Sequence, residues 1–263
     1  MKMKAIKKNK TVQSCIWLAV LLLAWEAASR FGLVNTYILP PFSTVFINMI
    51  NEMINGRLGI QVLNSMRIIA LGFLISFGLS FIITALCVWL TPVKSLFTLL
   101  TVIMSPLPAV AIIPLVIMWF GINTSAMLVL IVHGVIWALL RHLIDGLHSV
   151  PRLYKEWGRN IGLPPWRMFT DIIVFAIMPE FLAGVRVGWG RAWRALIGAE
   201  MVFGMIGTMG GLGFYIYSAR ALANLSNVMS GVIAIIIIGI LVETLLFGQI
   251  EKHTIRKWGM SNE

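Results

Sequence analysis

Apolar residues run through this chain in long uncharged blocks, separated by short clusters of charge. Ile68 to Leu90 is one block and Ala221 to Val242 another, while Ser95 to Leu140 holds only His133 as a group that can charge near neutrality. A bilayer core about 30 Å thick takes roughly 20 apolar residues as helix, so each block can cross it. The 95–140 block is too long for one crossing, and Gly121-Ile122-Asn123-Thr124 near its middle predicts a tight turn between two.

The pattern predicts an all-α integral membrane protein with six spans. Span 1 covers about Val12 to Ala28, with Glu26 near the far interface. Span 2 is Ile68 to Leu90, span 3 Leu96 to Trp119, span 4 Ser125 to Leu140 and span 5 Pro179 to Phe203; span 6 follows Ala221. Between spans 1 and 2, Val45, Met49 and Met53, with Phe46 and Ile50, recur at helical spacing between Pro41 and Gly56. That segment is too polar to span and predicts an amphipathic interfacial helix.

Composition agrees: 59% of residues are hydrophobic and only 12% charged, against about 25% charged in soluble domains. In so apolar a chain the net charge of +11 signals topology rather than nucleic-acid binding. With both basic termini inside and six spans, 14 of the 21 Lys and Arg lie on the cytoplasmic side, four lie outside and three sit in span 5. No small-residue cleavage site follows the basic N-terminus and its apolar run, so an uncleaved first span is expected rather than a signal peptide. Cys15 and Cys87 both fall in predicted spans, where they are expected as small buried apolar residues rather than a disulfide.

The charge count puts Leu143 to Asp171 in the cytoplasm, including the stretch YKEWGRNIGLPPW. Ser149 is suited to cap a helix there and Pro151 to open its first turn. Leu153, Trp157 and Ile161 repeat every four residues with Tyr154 beside them, forming one apolar stripe. Arg152, Lys155, Glu156 and Arg159 make the remainder charged. Gly162 suits a left-handed C-terminal position, and Pro164-Pro165 forbids continuation. Three placements fit this helix on physical grounds: against the protein's own spans, on lipid headgroups, or in a groove of a cytoplasmic partner.

Four further features invite a functional reading. Span 3 holds Pro106, Pro108 and Pro114, which remove backbone donors; the result is either a static kink or a bent helix lining a pathway, with Ser105 facing the cavity. Span 5 holds Arg186, Arg191 and Arg194 with no carboxylate three or four residues away. They need a partner on another helix, for which Glu200 and Asp145 are candidates, or a watery cavity. His133 has no second ligand nearby and reads as a buried, hydrogen-bonded histidine. The glycine-rich 204–213 segment reads as a flexible outer loop, and Gly184, Gly188 and Gly190 as sites of close helix approach. No nucleophile–base or paired-carboxylate arrangement suggests an enzyme, and no G-x-x-x-x-G-K-[ST] phosphate loop occurs.

The cytoplasmic stretch resembles the "EAA" loop of ABC-importer permeases: Glu-Ala-Ala, three residues, Gly, nine residues, Ile, one residue, Leu-Pro. Glu156, Gly162 and Ile172 keep that spacing. Trp157-Gly158 replaces the alanines and Val174-Phe175 the Leu-Pro, with Pro179 as a candidate substitute break. ILPPFSTVF, SMRIIALGFLISFGLS, MSPLPAVAIIPLVIMWFGI and AGVRVGWGRAWRALIGAEM, in that order, are similar to the nitrate/sulfonate/taurine-type permeases.

The resemblance implies a type I permease core in the bacterial inner membrane, working as a homodimer. It implies two cytoplasmic ATPase subunits carrying ATP and magnesium, and an extracytoplasmic solute-binding protein delivering a small anionic or zwitterionic solute. This chain then carries no cofactor and binds no metal. Residues 1–11 form a cytoplasmic basic tail, 12–59 the first span and interfacial helix, 60–247 the permease domain and 248–263 the C-terminal tail. Residues 150–162 become the coupling helix, with Leu153, Tyr154, Glu156, Trp157, Arg159, Ile161 and Gly162 meeting the ATPase. Ser105, Pro106, Pro108, Pro114, Arg186, Arg191, Arg194 and Glu200 become candidates for pathway or gate. Two other classes stay open: an ion-gradient-driven secondary transporter, for which Glu180 and Glu200 are the acidic candidates, and a scaffold or sensor subunit with no solvated pathway.

Overall fold

The computed structural model describes residues 2–206 and 210–254, with side chains from Val12 onward except Lys155. The lysines of the basic tail, Gly207, and the C-terminal Arg256 and Lys257 lie outside the described residues or side chains. Five helices are long and apolar enough to cross a membrane, and a sixth candidate is a pair of helices bent by 91°.

The first helix, α1 (Lys2–Arg30), meets α2 (Phe42–Ile54) through its C-terminal end. There the Glu26 carboxylate accepts from the backbone N–H and hydroxyl of Ser43 in the first turn of α2, at 2.9 and 2.8 Å. Trp25 Nε1 donates to the Pro40 carbonyl and the Ser29 hydroxyl to that of Leu39. The amphipathic segment is indeed helical, but only Val45 and Met49 of its expected stripe are buried, while Phe46, Ile50 and Met53 stay exposed. Its polar side is not all solvent-facing: Asn48 donates to Asn227 and Ser230 of the last span.

Span 2 is longer than its uncharged run, since α3 (Leu58–Trp89) begins ten residues earlier. Two polar residues of that extension are buried: Asn64 and Ser65 bond to the segment near residue 211. Further along, Gly72 lets the helix lie directly on Ile131.

Span 3 departs from a single kinked helix. It is α4 (Thr91–Met104) and α5 (Ala109–Phe120), set at 91° to each other across residues 105–108. Pro106 and Pro108 supply no backbone donor, and Pro108 holds Leu107 away from the helical region. Pro114 contributes nothing to the bend, because it sits in the first turn of the regular helix from Ile113, where a missing N–H is harmless. The turn expected at 121–124 is present: Gly121 takes φ +73°, and the Asn123 side chain caps α6 (Thr124–Ser149) by accepting from the Ala126 N–H at 2.9 Å.

The core lies where α6 packs along α8 (Pro165–Phe203), with Leu130, Val135, Leu139 and Leu196 fully buried. Small residues permit this approach: Gly134 faces the backbone at Arg191–Ala192, Gly188 faces Val135 and Gly184 faces His142. The eighth helix also corrects the expected start of span 5. It begins at Pro165, passes through a π-helical stretch at Met168–Ile173 and continues through Pro179 without ending there. The last span, α10 (Leu225–His253), likewise runs past Glu243 through a second π-helical stretch, Val242–Phe247.

Between them, residues 207–209 of the expected outer loop lie outside the described residues, but its last part, 210–213, is tied to the bundle. It leads into a short helix, α9 (Leu212–Ala221), packed against α8 and α10. Its glycines serve close approach: a side chain on Gly213 would collide with the Ile197 carbonyl, and one on Gly211 with the Glu200 carboxylate. Large apolar residues on α1, α3, α4 and α10 remain on the outside of the bundle, as a lipid-facing surface requires. Cys15 is exposed, against expectation, and Cys87 buried; both are free thiols.

Candidate functional site

Two regions concentrate chemistry that packing alone does not use. The first is a cavity of about 320 Å³ beside the break in span 3, lined among others by Ser105, Pro106, Pro108, His133, Trp137, Arg191 and Arg194. Breaking a helix inside a membrane frees backbone carbonyls, each of which needs a donor. Two neighbouring helices supply them. His133 on α6 reaches the Leu107 carbonyl at 3.2 Å, and Arg191 on α8 reaches the Ser105 carbonyl at 3.5 Å. Trp137 Nε1 lies 3.0 Å from His133 Nδ1, and an indole can only donate. His133 Nδ1 therefore accepts, and its Nε2 carries the proton given to Leu107. The histidine is hydrogen-bonded as expected, but it lines the cavity and is not buried in the core.

The arginines of span 5 do not act as one group. Arg186 pairs with two carboxylates of α10, Glu243 at 2.8 Å and Glu251 at 3.3 Å. Neither Glu200 nor Asp145, the expected partners, meets any of the three. Asp145 lies 3.7 Å from Arg141 one helical turn away. Arg191 and Arg194 face the cavity, and no carboxylate lines it among the described residues.

Glu200 instead works near the C-terminal end of α8, fully buried. It accepts from the Ser65 hydroxyl at 2.7 Å and from the Gly213 N–H at 2.8 Å, while Ser65 accepts from the Leu212 N–H at 2.8 Å. One carboxylate thus ties α3, α8 and the first turn of α9 together, where the helix leaves orphan N–H groups. Of the sequence-predicted pathway residues, Ser105, Pro106, Pro108, Arg191 and Arg194 come together at the cavity. Pro114, Arg186 and Glu200 do not. His133 and Trp137 were missing from the predicted pathway, although their four-residue spacing on one helix marks them as neighbours.

The second region is α7 (Arg152–Asn160), which leaves the end of α6 through Val150 and Pro151. Ser149 does not cap it: its hydroxyl turns back to the Gly146 carbonyl at 2.8 Å, and Pro151 holds the cap position. At the other end the Leu163 N–H bonds to the Gly158 carbonyl and the Gly162 N–H to that of Arg159, with Gly162 at φ +70°. That is a Schellman closure, and it explains the need for glycine at 162.

Among its described side chains, the helix is buried at one position. Gly158 is buried, and a side chain there would meet Met168 and Ile172 of the π-helical stretch. The apolar stripe points the other way. Leu153 is 68% exposed, Trp157 60%, Ile161 55% and Tyr154 46%. Of the three placements open to this helix, packing of the stripe against its own spans is thereby excluded. Glu156 and Arg159 are exposed on the same short helix. The Trp157-Gly158 departure from Ala-Ala also resolves: the bulky residue faces outward and the smallest faces inward.

Comparison with known proteins bears on both regions. The family model described as "binding-protein-dependent transport system inner membrane component" matches residues 82–254, which include the break, α6, α7 and α8. A Bacillus subtilis (strain 168) permease named for aliphatic sulfonates transport, SsuC, is 28% identical over 252 residues, covering 93% of this chain and 87% of its own length. The taurine transport system permease protein TauC of Escherichia coli (strain K12) is 26% identical, covering 86% and 82%. The nitrate import permease protein NrtB of Synechocystis sp. is 26% identical, covering 92% and 88%.

Proposed function

This chain belongs to the binding-protein-dependent transport system inner membrane components, the permeases of ABC importers, and we propose that it couples ATP hydrolysis on a partner to import through α7. The exposed apolar stripe of α7 carries the proposal. A helix that leaves more than half of Leu153, Trp157 and Ile161 exposed is built to be covered by another surface. A cytoplasmic ATPase subunit, holding ATP and magnesium, is the partner that fits, with Glu156 and Arg159 setting the register at the rim. The chain itself has no phosphate loop.

The remaining parts follow from membership. Two copies of the permease form the pathway, both termini face the cytoplasm, and an extracytoplasmic binding protein delivers the solute. The relatives named for sulfonates, taurine and nitrate support a small anionic or zwitterionic solute. The cavity at the broken span, with Ser105, Arg191 and Arg194, belongs to the pathway. Arg186 and Glu200 hold helices together at its two ends, and Pro114 has a structural place only.

Co-purification in mild detergent tests the proposal. The wild-type chain is expected to retain an ATP-hydrolysing subunit, and Glu156→Arg to lose it while its thermal unfolding stays unchanged. A wild type that carries no ATPase under conditions holding a known importer together overturns it.

A further inference from the structure

Arg191 holds the broken span by a long bond to a neutral carbonyl, in a cavity that contains a second guanidinium and, among the described residues, no carboxylate. Arg194 makes no ion pair among the described residues. Two cations sharing one lining favour an anion between them, because a full negative charge attracts both guanidiniums where a carbonyl dipole holds only one. A guanidinium–oxyanion bond is charge-assisted and roughly twice as strong as a neutral one. The existing Arg191 contact, at 3.5 Å, is at the weak end of hydrogen-bond geometry.

We propose that the cavity binds a small oxyanion between Arg191 and Arg194, and that binding releases the break in span 3. The anion takes Arg191 away from the Ser105 carbonyl. The Ser105 hydroxyl, buried without a partner, is a third donor beside the same position. The Leu107 carbonyl keeps its bond to His133, so the span is freed from α8 while still held by α6. The break becomes the hinge and Arg191 its latch, with the solute as the key. This rests on the cavity being part of the transport pathway, and it adds which groups recognise the solute and what their engagement does.

Two measurements on the full chain in lipid nanodiscs test it without any partner protein. In a background with Cys15→Ser and Cys87→Ser, Ala109→Cys places a thiol in the cavity lining. A negatively charged sulfonatoethyl thiosulfonate is expected to label it about tenfold faster than the positively charged trimethylammonium analogue, since a like-signed cleft raises counter-ion concentration by roughly that factor or more. Arg194→Gln should abolish the preference, and added methanesulfonate should slow labelling of the parent. Hydrogen exchange reads the latch. Methanesulfonate should speed amide exchange across residues 104–112 in wild type, whereas Arg191→Gln should exchange fast with or without the anion. Equal labelling by both reagents, a thiol inert to both, or exchange indifferent to methanesulfonate each overturns the proposal. None of these depends on the ATPase, so failure here and failure of the co-purification are separate results.

Discussion

Gly158 and Gly213 both leave out a side chain, but their neighbours differ. A Cβ on Gly158 would meet the sulfur and terminal methyl of Met168, the movable end of a flexible side chain. Gly158→Ala is therefore expected to be tolerated, with a gain of about 0.5–1 kcal/mol from the lower entropy cost of alanine in a helix offsetting the shift of Met168. A Cβ on Gly213 would meet the Ile197 carbonyl 2.4 Å away, which cannot move without moving α8. Gly213→Ala should cost about 1–3 kcal/mol, the range for overpacking a close contact. Thermal unfolding of the two variants in nanodiscs, measured side by side, distinguishes them; equal midpoints contradict this account of the outer clasp. Ser65→Ala belongs with Gly213→Ala, because it leaves Glu200 and the Leu212 N–H each short of a buried partner.

At the scale of elements, the question is which prolines bend span 3. Pro106 and Pro108 lie in the break between α4 and α5, and Pro114 lies in a first helical turn. Pro114→Ala should leave folding within about 0.5 kcal/mol of wild type, since no hydrogen bond is gained or strain relieved. Replacing Pro106 and Pro108 together by alanine restores the missing donors and favours one continuous helix, which would close the cavity. Solute uptake by the reconstituted importer should survive the first change and fail in the second. The link between α8 and α10 is a smaller effect. The Arg186–Glu243 pair is about half exposed, so Arg186→Gln should cost about 1 kcal/mol or less.

At the scale of the molecule, the charge asymmetry makes a prediction about sides. Tyr37 and Leu222 are exposed at turns that the charge count places outside, and Gly162 ends the helix it places in the cytoplasm. Single cysteines at 37 and 222 should react with a membrane-impermeant maleimide in intact cells, and one at 162 only after permeabilisation. Labelling at 162 in intact cells would invert the topology and remove α7 from reach of any ATPase. The apolar residues left outside the bundle cover several spans and can be met only by lipid or by a second copy.

Length and periodicity were enough for the number of crossings, the turn at 121–124 and the amphipathic character of α7, because a bilayer and a helix impose fixed lengths and a fixed period. Glycine and proline spacing foretold the Gly162 closure, and the EAA-like spacing of Glu156, Gly162 and Ile172 pointed to the family. Partnership was beyond sequence. That the α7 stripe faces outward depends on Gly158 docking on Met168, ten residues on. That the glycines near 211 are rigid depends on a carboxylate eleven residues earlier and a hydroxyl on another span. Three arginines on one helix read as a single feature, yet Arg186 meets the last span while Arg191 and Arg194 line the cavity beside the broken one. Spacing along a chain decides which side chains share a helical face; only the packing of helices decides what that face meets, and in this protein the chemistry lies between helices.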